Sequence, residues 1–478
     1  MKDASKLFVL DYRSLALYRV LLGCVLLYDL AARAVEVPAF YTDGGVLPRA
    51  PLVEQFQSEW SWSLHLLSGA AAVQYVLFAL AAAAAIAFIV GYRTRVATLL
   101  SLVLLISLHN RNPLVLSSSD QLMRVLLFWT LFLPVGAAYS VDRARAAEGA
   151  ESRLSNASVG TAAFILQICL VYWFTAALKS DRAWWRDGSA LYYAFNIDYL
   201  TTDLGRVLLT FPGLLRALSY LAIGLETTGP ALLFFPRRNG AVRTAVVFVF
   251  ILFHLCMTPF LTLGTFPFVC VAMWSSLLPA EFWERVGRSV GRLGGWASRL
   301  GPPASARTPA WMNVLAAVFL VYVLLWNFAS VTARRVGVPP SAGWVGHVTG
   351  LAQAWRMFAP LPKLDDGWYV IPAKLRGGAE VDLFRNGAPV DWAKPDPVVA
   401  LYPNSYWQKY TENLWLRDFA QARLYYARYL CRTWNAAHGG DEELRTFEIV
   451  YMREDTPPPG RPSPPAESVT IWQHDCFK

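Results

Sequence analysis

Charged residues are scarce in this sequence, and their scarcity excludes an ordinary water-soluble globule. Of the 478 residues only 16% are charged, whereas 55% are hydrophobic. Soluble proteins usually carry about a quarter charged residues. The shortage lies before residue 335, where long apolar runs alternate with short polar segments. We therefore expect the lipid bilayer to be the main solvent for this part of the chain.

Motifs for metal, nucleotide and hydrolase chemistry are also missing. The sequence contains none of the patterns CxxC, HExxH, GxGxxG or the P-loop, so no metal site is predicted. The net charge of +9 does not indicate a nucleic-acid partner, because Arg and Lys stand in short clusters and form no continuous basic face.

The first residues, MKDASK, lead into an apolar segment without a cleavage site, so we expect the first span to be its own insertion signal.

Cysteine is also scarce, with six residues in the chain. Four of them fall inside apolar runs, where Cys behaves as a small apolar residue: Cys24, Cys169, Cys256 and Cys270. Cys431 and Cys476 lie in the C-terminal tail and can form a disulfide if the tail faces an oxidising compartment. The sequence leaves that pairing open.

Nine apolar segments approach the roughly 20 residues that a helix needs to cross a bilayer. They cover residues 15–34, 69–92, 96–110, 121–140, 159–178, 214–235, 244–258, 261–278 and 310–331. The sequence thus predicts an all-α polytopic membrane bundle of about eight or nine transmembrane helices over residues 1–333. The third, seventh and eighth segments are short, and the last two of these could instead form one re-entrant hairpin.

Basic residues gather in alternate loops, which are expected to face the cytoplasm. The clusters are Lys2, Lys6 and Arg13; Arg93 and Arg95; Arg143, Arg145 and Arg153; Arg237, Arg238 and Arg243; and Arg285, Arg288, Arg292, Arg299 and Arg307. Nine spans in a plasma (inner) membrane then place the N-terminus inside and the C-terminal tail outside, whereas a re-entrant hairpin moves the tail inside. Residues 280–307 are predicted to form an amphipathic helix on the cytoplasmic surface.

From residue 334 the composition changes to frequent Trp, Tyr, Pro and charged residues, which predicts a small α+β extramembrane domain over residues 334–478. The strand-like pieces are residues 368–372, 381–385, 447–452 and 468–474, and a helical stretch covers residues 406–435.

Ionisable residues inside the predicted spans are costly to bury and are therefore candidates for function. They are Arg19, Asp29, Arg124, Arg216, Glu226 and His254. One interpretation is pairing between helices, such as Arg19 with Asp29 or Glu226. The other is a functional pathway, since a mere anchor requires none of these residues.

Three polar segments fall at the predicted outer ends of spans: FYTDGGVLPR, HNRNPLVLSSSDQ and TAALKSDRAWWRDGSALYYAF. The third contains Lys179, whose neighbouring Trp and Tyr residues are ordinary membrane-interface residues on one interpretation. On the other, an amine held in an apolar pocket becomes a neutral base. Pro259, Gly264 and Pro267 are expected to break the helix after His254 and to help wall a cavity for a lipid-soluble reactant.

Several stretches resemble, in chain order, the horizontally transferred transmembrane domain family, which includes the vitamin K-dependent gamma-carboxylases. They are LALYRVLLGCVLLYDL, FYTDGGVLPR, SLHNRNPLVLSSSDQLMRVLLFWTLFLPVGAAYSVD, ALKSDRAWWRDGSALYYAF and FHLCMTPFLTLGTFPFVCVAMW. The likeness covers roughly residues 10–280, and WRMFAP and YLCRTWN in the tail also resemble bacterial members.

The resemblance implies a membrane enzyme in which a lysine before a Trp-x-x-Gly turn acts as the base that drives oxygenation of a reduced, vitamin K-like quinone, with oxygen and carbon dioxide as co-substrates. Here Lys179 precedes Trp185-Arg186-Asp187-Gly188, although animal members carry two adjacent lysines. Where they carry an Asn-His-Ser stretch, this chain has Ser119-Asp120-Gln121, so Asp120 or His109 would replace the assisting histidine. His254 matches a family histidine.

The sequence also suggests cofactor-binding residues, partners and an alternative function. Trp185, Tyr192, Arg19 and Arg124 are the candidate cofactor-binding residues. The expected partners are membrane lipid and a peptide or protein substrate carrying glutamate. The alternative is a non-enzymatic membrane factor that binds a lipid or peptide for maturation or export; a transporter has less support because the sequence shows no inverted repeat.

Overall fold

The computed structural model describes residues 7–146, 155–289 and 308–477, and helices dominate its first two thirds. Those of ten or more residues are α1 (Tyr12–Val35), α2 (Ala71–Val90), α3 (Thr94–Arg111), α4 (Ser118–Thr130), α5 (Val159–Leu178), α6 (Pro212–Thr228), α7 (Asn239–Leu255), α8 (Phe266–Ser275), α9 (Ala280–Ser289), α10 (Ala310–Val331), α11 (Ser405–Trp415) and α12 (Ala422–Ala437). The two-residue strands β1 (Leu10–Asp11) and β2 (Ser155–Asn156) pair at the start of α1 and α5.

Helix α5 lies at the centre of the bundle. It packs against α10, α6 and α4, while α1 packs against α2 and α8, and α7 packs against α8. At its start the Ser158 hydroxyl accepts a hydrogen bond from the Thr161 amide, and the Thr161 hydroxyl accepts one from the Ser158 amide. This capping box supplies partners for groups that the first helical turn leaves unpaired.

Five helices of the described residues are long and apolar enough to cross a membrane: α1, α2, α5, α10, and the helix Pro212–Phe234 that continues α6. The count rises to six if α8 and α9, which meet at 88°, form one broken span. Several apolar helices therefore fit a multi-pass membrane protein, but the count of eight or nine is not confirmed.

Polar ends and helix breakers account for the shorter segments. Helix α3 carries Arg95 near its start and Arg111 at its end, which shortens its apolar part. Within the predicted span 121–140 the helix α4 continues only to Thr130, because the chain turns before Pro134, which cannot donate the next helical hydrogen bond. Helix α7 has 17 residues and α8 has ten. The break expected after His254 is present, with Gly264 in the left-handed region at φ 56°.

The predicted amphipathic helix over residues 280–307 is described only up to Ser289, as α9. Residues 290–307 lie outside the described residues. The same holds for Lys2, Lys6, Arg153, Arg292, Arg299 and Arg307 of the basic clusters.

The C-terminal part contains an antiparallel five-stranded sheet of β3 (Asp365–Val370), β4 (Pro372–Leu375), β5 (Glu380–Asp382), β6 (Leu444–Asp455) and β7 (Glu467–Asp475). The long β6 pairs with β3, β4 and β7, and β4 pairs with β5. The predicted helix 406–435 is two helices, α11 and α12, because the chain leaves the helix at Leu416. Cys431 on α12 forms a disulfide with Cys476 after β7.

The hydrophobic core crosses the predicted domain boundary at residues 333/334. Leu351 and Trp355 belong to the same buried cluster as the centre of the bundle. Phe78 of α2 shares a second cluster with Tyr410 of α11 and Ile449 of β6. The C-terminal part is therefore packed directly on the bundle, and this contact completes the site described below.

The disulfide should contribute substantially to the stability of the C-terminal part. It joins residues 45 positions apart, and the loop-closure model assigns about 4 kcal/mol to a loop of that length. We expect Cys431→Ser with Cys476→Ser to lower the free energy of unfolding by about 2–4 kcal/mol, measured by denaturant titration in detergent. Replacing the unpaired Cys24 and Cys256 is the control. Equal losses in both double variants would contradict this assignment.

Asp366 of β3 should make the contact between the two parts sensitive to pH. It is buried, and its Oδ2 accepts a hydrogen bond from the Asp198 amide. Burial, with the charge of nearby Asp198, raises the pKa of Asp366 to about 8, whereas an unfolded Asp titrates at about 3.9. The folded protein then binds more protons between these values, so the free energy of unfolding should fall as pH rises from about 4 to 8.

The expected slope is at most about 1.4 kcal/mol per pH unit, measured as the pH dependence of thermal unfolding in detergent. Asp366→Asn should flatten the profile, while Asp418→Asn, at an exposed position, should leave it unchanged. A profile that stays as steep in Asp366→Asn as in the wild type would rule out this origin.

Candidate functional site

A buried ion pair stands at the end of α5. Lys179 follows the last residue of this helix, and its Nζ lies 2.7 Å from Oε1 and 2.6 Å from Oε2 of Glu226 on α6. The two residues are only 3% and 7% exposed. The amine also lies 4.3 Å from the centre of the Trp184 ring, a cation–π contact. Lys179 is therefore held by one carboxylate and one aromatic ring.

The turn after Lys179 fixes its position. The Asp181 side chain caps the short helix Arg182–Trp185. The Trp184 indole donates to the carbonyl oxygen of Phe358, and the Trp185 indole donates to the carbonyl oxygen of Lys179. Gly188 takes a left-handed conformation at φ 64° and lies close to Tyr220 of α6, so a side chain would be strained there. The Trp-x-x-Gly turn thus orients the lysine towards α6.

The ion pair lines a cavity of about 630 Å³. This is within the usual range for small-molecule sites, about 300–1,000 Å³. Lys179, Glu226 and His254 all contribute to its wall. Much of the remaining lining is apolar and comes from α5, the loop before α6, the break between α7 and α8, and the chain after Arg356; it includes Val171, Ile197, Leu200, Phe253, Met257, Phe266, Met357 and Leu361.

The C-terminal part builds one side of this cavity with charged residues. Lys363 and Lys409 both donate to the carboxylate of Glu412, at 2.5 and 2.9 Å. Burial alone would raise the pKa of the Glu412 carboxyl, but Lys409 and Lys363 lower it. Arg356 adds a further positive charge to the lining. This wall therefore carries more positive than negative charge.

A charged cluster adjoins the cavity on the α1 side. Arg33 donates to Asp29 at 2.8 Å and to Asp120 at 2.5 Å, and Asp29 also accepts a hydrogen bond from the Tyr406 hydroxyl at 2.9 Å. His109 Nε2 lies 3.2 Å from Asp120. Asp29 lines the cavity, whereas Asp120 and His109 are not among the described lining residues. The two candidates for the assisting group thus contact each other in the layer next to the cavity.

The same cluster contains ligand types that a metal ion accepts. One ligand atom each of Asp29, His109 and Asp120 lies within 4.8 Å of the others. The guanidinium of Arg33 already donates to both carboxylates, so the two negative charges have a cationic partner within the protein. Asp120 also accepts hydrogen bonds from the amide and hydroxyl of Ser117 at the start of α4. Together with the guanidinium of Arg124 near Asp120, the charges of the two carboxylates are balanced, which suits a structural cluster.

His254 belongs to a chain of buried polar side chains at another part of the cavity wall. Its Nε2 lies 2.7 Å from the Tyr172 hydroxyl, which accepts a hydrogen bond from the Trp274 indole at 2.6 Å. His254 Nδ1 is buried and has no hydrogen-bond partner among the described residues. Tyr172 is two helical turns before Lys179 on α5, about 10 Å along the helix.

The four candidate cofactor-binding residues are placed differently. Arg19 donates to backbone carbonyls of Ile89, Val135, Ala138 and Tyr139, and pairs with neither Asp29 nor Glu226. Arg124 is half-buried next to the Asp120 cluster, Trp185 donates to the Lys179 carbonyl, and Tyr192 packs against the cluster of Phe195, Leu215 and Leu261. None of the four is among the described residues that line the cavity.

The sequence indicated Lys179 and Glu226 as single residues but not the contact between them. Glu226 was visible as an acid inside a span, but nothing in the spacing links it to a lysine 47 positions earlier. Arg33 stands at the end of the first predicted span, where a basic residue is ordinary. The contribution of Tyr406, Lys409 and Glu412 needed the packing of the C-terminal part on the bundle, which no local pattern indicates.

Comparison with known proteins gives one match. A family model described as HTTM domain matches residues 9–283. No curated protein and no solved structure matches the chain. The matched range contains Lys179, Glu226 and His254 and ends before the residues after 355 that form the opposite wall of the cavity.

The ion pair predicts a specific pattern of stability. Lys179→Met should lower the free energy of unfolding by about 3–5 kcal/mol, because it leaves the Glu226 carboxylate buried without a partner. Adding Glu226→Gln should recover most of the loss, since no buried charge then remains. Thermal and denaturant unfolding in detergent measure both. A double variant that is as unstable as the sum of the single variants would contradict the pairing.

Proposed function

Because the chain belongs to the HTTM domain family, we propose that it is a membrane enzyme related in chemistry to the vitamin K-dependent gamma-carboxylases. It would use a reduced quinone, oxygen and carbon dioxide to carboxylate glutamate in a peptide. The observation that carries the proposal is the buried pair of Lys179 and Glu226 in the wall of a cavity large enough for a ring-shaped cofactor.

The residues present suit a quinone on two grounds. The lining of the cavity is largely apolar, as a ring and a lipid tail require. Its polar groups include the Lys179–Glu226 pair and His254, whose Nδ1 has no partner among the described residues. When bound, a reduced quinone would supply, through its oxidation by oxygen, the driving force for removing a proton from glutamate.

Lys179 would act as the base only after its own proton has moved. Over the 2.6 Å contact, Glu226 can accept that proton and convert the ion pair to a neutral amine and a neutral acid. The amine can then accept a proton from a bound hydroxyl group, while Trp184 and the apolar wall exclude water. The other side of the cavity, with Arg356, Lys363 and Lys409, offers positive charge to the carboxylate of a peptide glutamate.

We also propose the membrane and the orientation in which the enzyme lies. The enzyme would be an integral protein of the plasma (inner) membrane, with a cytoplasmic N-terminus and the C-terminal part outside. The disulfide between Cys431 and Cys476 supports the outer position, because disulfides persist in oxidising compartments.

The alternative is a non-enzymatic factor that holds a lipid or a peptide for maturation or export. It is favoured by one observation, the wall that the C-terminal part adds to the cavity. On this alternative a lysine that keeps its charge should suffice at position 179, and changes at the C-terminal wall should abolish function.

The experiment is Lys179→Arg in purified protein reconstituted in lipid vesicles. Arginine keeps the positive charge opposite Glu226 but does not lose its proton, so the base is removed without leaving a buried unpaired carboxylate. With vitamin K hydroquinone, oxygen, labelled bicarbonate and a short glutamate peptide, we expect label incorporation and quinone oxidation to fall about 100-fold or more. Lys374→Arg, at an exposed position of β4 that is not among the described lining residues, is the matched control.

Two outcomes would contradict the proposal. Wild-type protein that neither oxidises the quinone nor incorporates label would reject the chemistry. Equal rates in the wild type and Lys179→Arg would reject Lys179 as the base.

A further inference from the structure

Three aromatic side chains form a directional hydrogen-bond chain that ends at the cavity. The Trp274 indole lies 2.6 Å from the Tyr172 hydroxyl, which lies 2.7 Å from Nε2 of His254. Tyr172 and Trp274 are buried in the centre of the bundle, and the Phe250 ring stacks on Trp274 at 3.9 Å. Trp274 thus holds the hydrogen-bond chain from the side away from the cavity, and Tyr172 and His254 both line the cavity.

The hydrogen positions follow from the chemistry of the three groups. An indole N–H only donates, so the Tyr172 oxygen accepts from Trp274. The Tyr172 hydroxyl then has one hydrogen to donate. Cys270 also lies beside it, but a sulfur atom is a weak acceptor, so the hydrogen goes to Nε2 of His254. Nε2 is then the acceptor nitrogen of the neutral ring, and Nδ1 carries the hydrogen.

An N–H group without a partner is unusual in a buried position, because burial removes it from water without replacing the lost hydrogen bonds. Nδ1 of His254 has no partner among the described residues although the side chain is only 2% exposed. The imidazole lines the cavity between Phe253 and Phe266, whose rings pack against it at 5.1 and 5.7 Å. A ligand oxygen in this cavity would satisfy the group.

We propose that His254 is a ligand-binding residue that presents a fixed Nδ1–H donor to a carbonyl-type oxygen of the cavity's ligand, and that Tyr172 and Trp274 are positioning residues that fix its tautomer. The inference rests on the proposed function in one respect, the identification of that oxygen as a quinone oxygen. His254 and Lys179 line the same cavity, so His254 would bind one quinone oxygen while the base faces the other.

The tautomer is tested first, without any ligand. Protein labelled with ¹⁵N-histidine contains six histidines, and His254→Gln identifies the signal of this one by its disappearance. Nitrogen NMR of the protein in lipid should show His254 with its hydrogen on Nδ1. Tyr172→Phe should give a mixture of both tautomers, because the donor to Nε2 is gone. A wild-type ring with its hydrogen on Nε2 would overturn the proposal.

Binding is tested with two probes that differ only in their oxygens, 2,3-dimethyl-1,4-naphthoquinone and 2,3-dimethylnaphthalene. His254→Phe should weaken binding of the quinone about tenfold, the effect of losing one hydrogen bond of about 1.4 kcal/mol, and leave the hydrocarbon unchanged. Tyr172→Phe should weaken quinone binding by a smaller factor. Tyr18→Phe is the matched control, since Tyr18 is also buried and its hydroxyl donates to the Leu126 carbonyl oxygen, but it is not among the described lining residues.

The outcomes separate the two proposals. Quinone binding that is equally tight in the wild type and His254→Phe would overturn the role of His254 and leave the proposed function standing. A wild-type protein that shows the Nδ1–H tautomer but binds the quinone no better than the hydrocarbon would count against the quinone, and hence against the proposed function, while supporting the fixed donor.

Discussion

The ion pair between Lys179 and Glu226 is the interaction on which the account of this protein depends. Two charges removed from water are tolerated only when each satisfies the other, and the bidentate contact at 2.6 and 2.7 Å does so. It also joins α5, the central helix, to α6 at the edge of the cavity. The same contact therefore stabilises the bundle and holds a titratable group where a lipid-soluble ligand can reach it.

The cavity is a product of two parts of the chain. Residues within the family match supply Lys179, Glu226 and His254, while residues after the match supply Arg356, Lys363 and the Tyr406–Glu412 side. Tyr406 connects the parts directly, because its hydroxyl donates to Asp29 of α1. Asp29 is in turn held by Arg33, which also binds Asp120. A change in the C-terminal part can thus reach the cavity through a short chain of charged contacts.

The sequence predicted strands and helix breaks better than contacts between residues that are distant in the chain. The strands around residues 368–372, 447–452 and 468–474 and the break after His254 are present, because alternation and helix breakers act locally. The nine-span count is not confirmed, since apolar content alone does not reveal that α4 ends before Pro134. The pairing of Lys179 with Glu226, and of Cys431 with Cys476, depends on residues distant in the chain. Such contacts are set by packing, which no spacing rule encodes.

Some candidate residues line the cavity and others lie beside it, and this difference has a physical cause. His254 and Lys179 line the cavity because both lie near the ends of helices that stop there, α7 and α5. Asp120 and His109 are instead fixed by Ser117 and Arg33 in the adjoining layer. They can influence the cavity through Asp29, whereas the hydrogen bonds of Arg19 go to carbonyls at residues 89–139.

The most direct test of the central claim is an experimental structure of the protein in lipid with 2,3-dimethyl-1,4-naphthoquinone bound. The account predicts the ring inside the cavity, with one oxygen within hydrogen-bond distance of His254 Nδ1 and the other facing Lys179 and Glu226. A quinone bound elsewhere, with the Lys179–Glu226 pair unchanged and remote from it, would contradict the account.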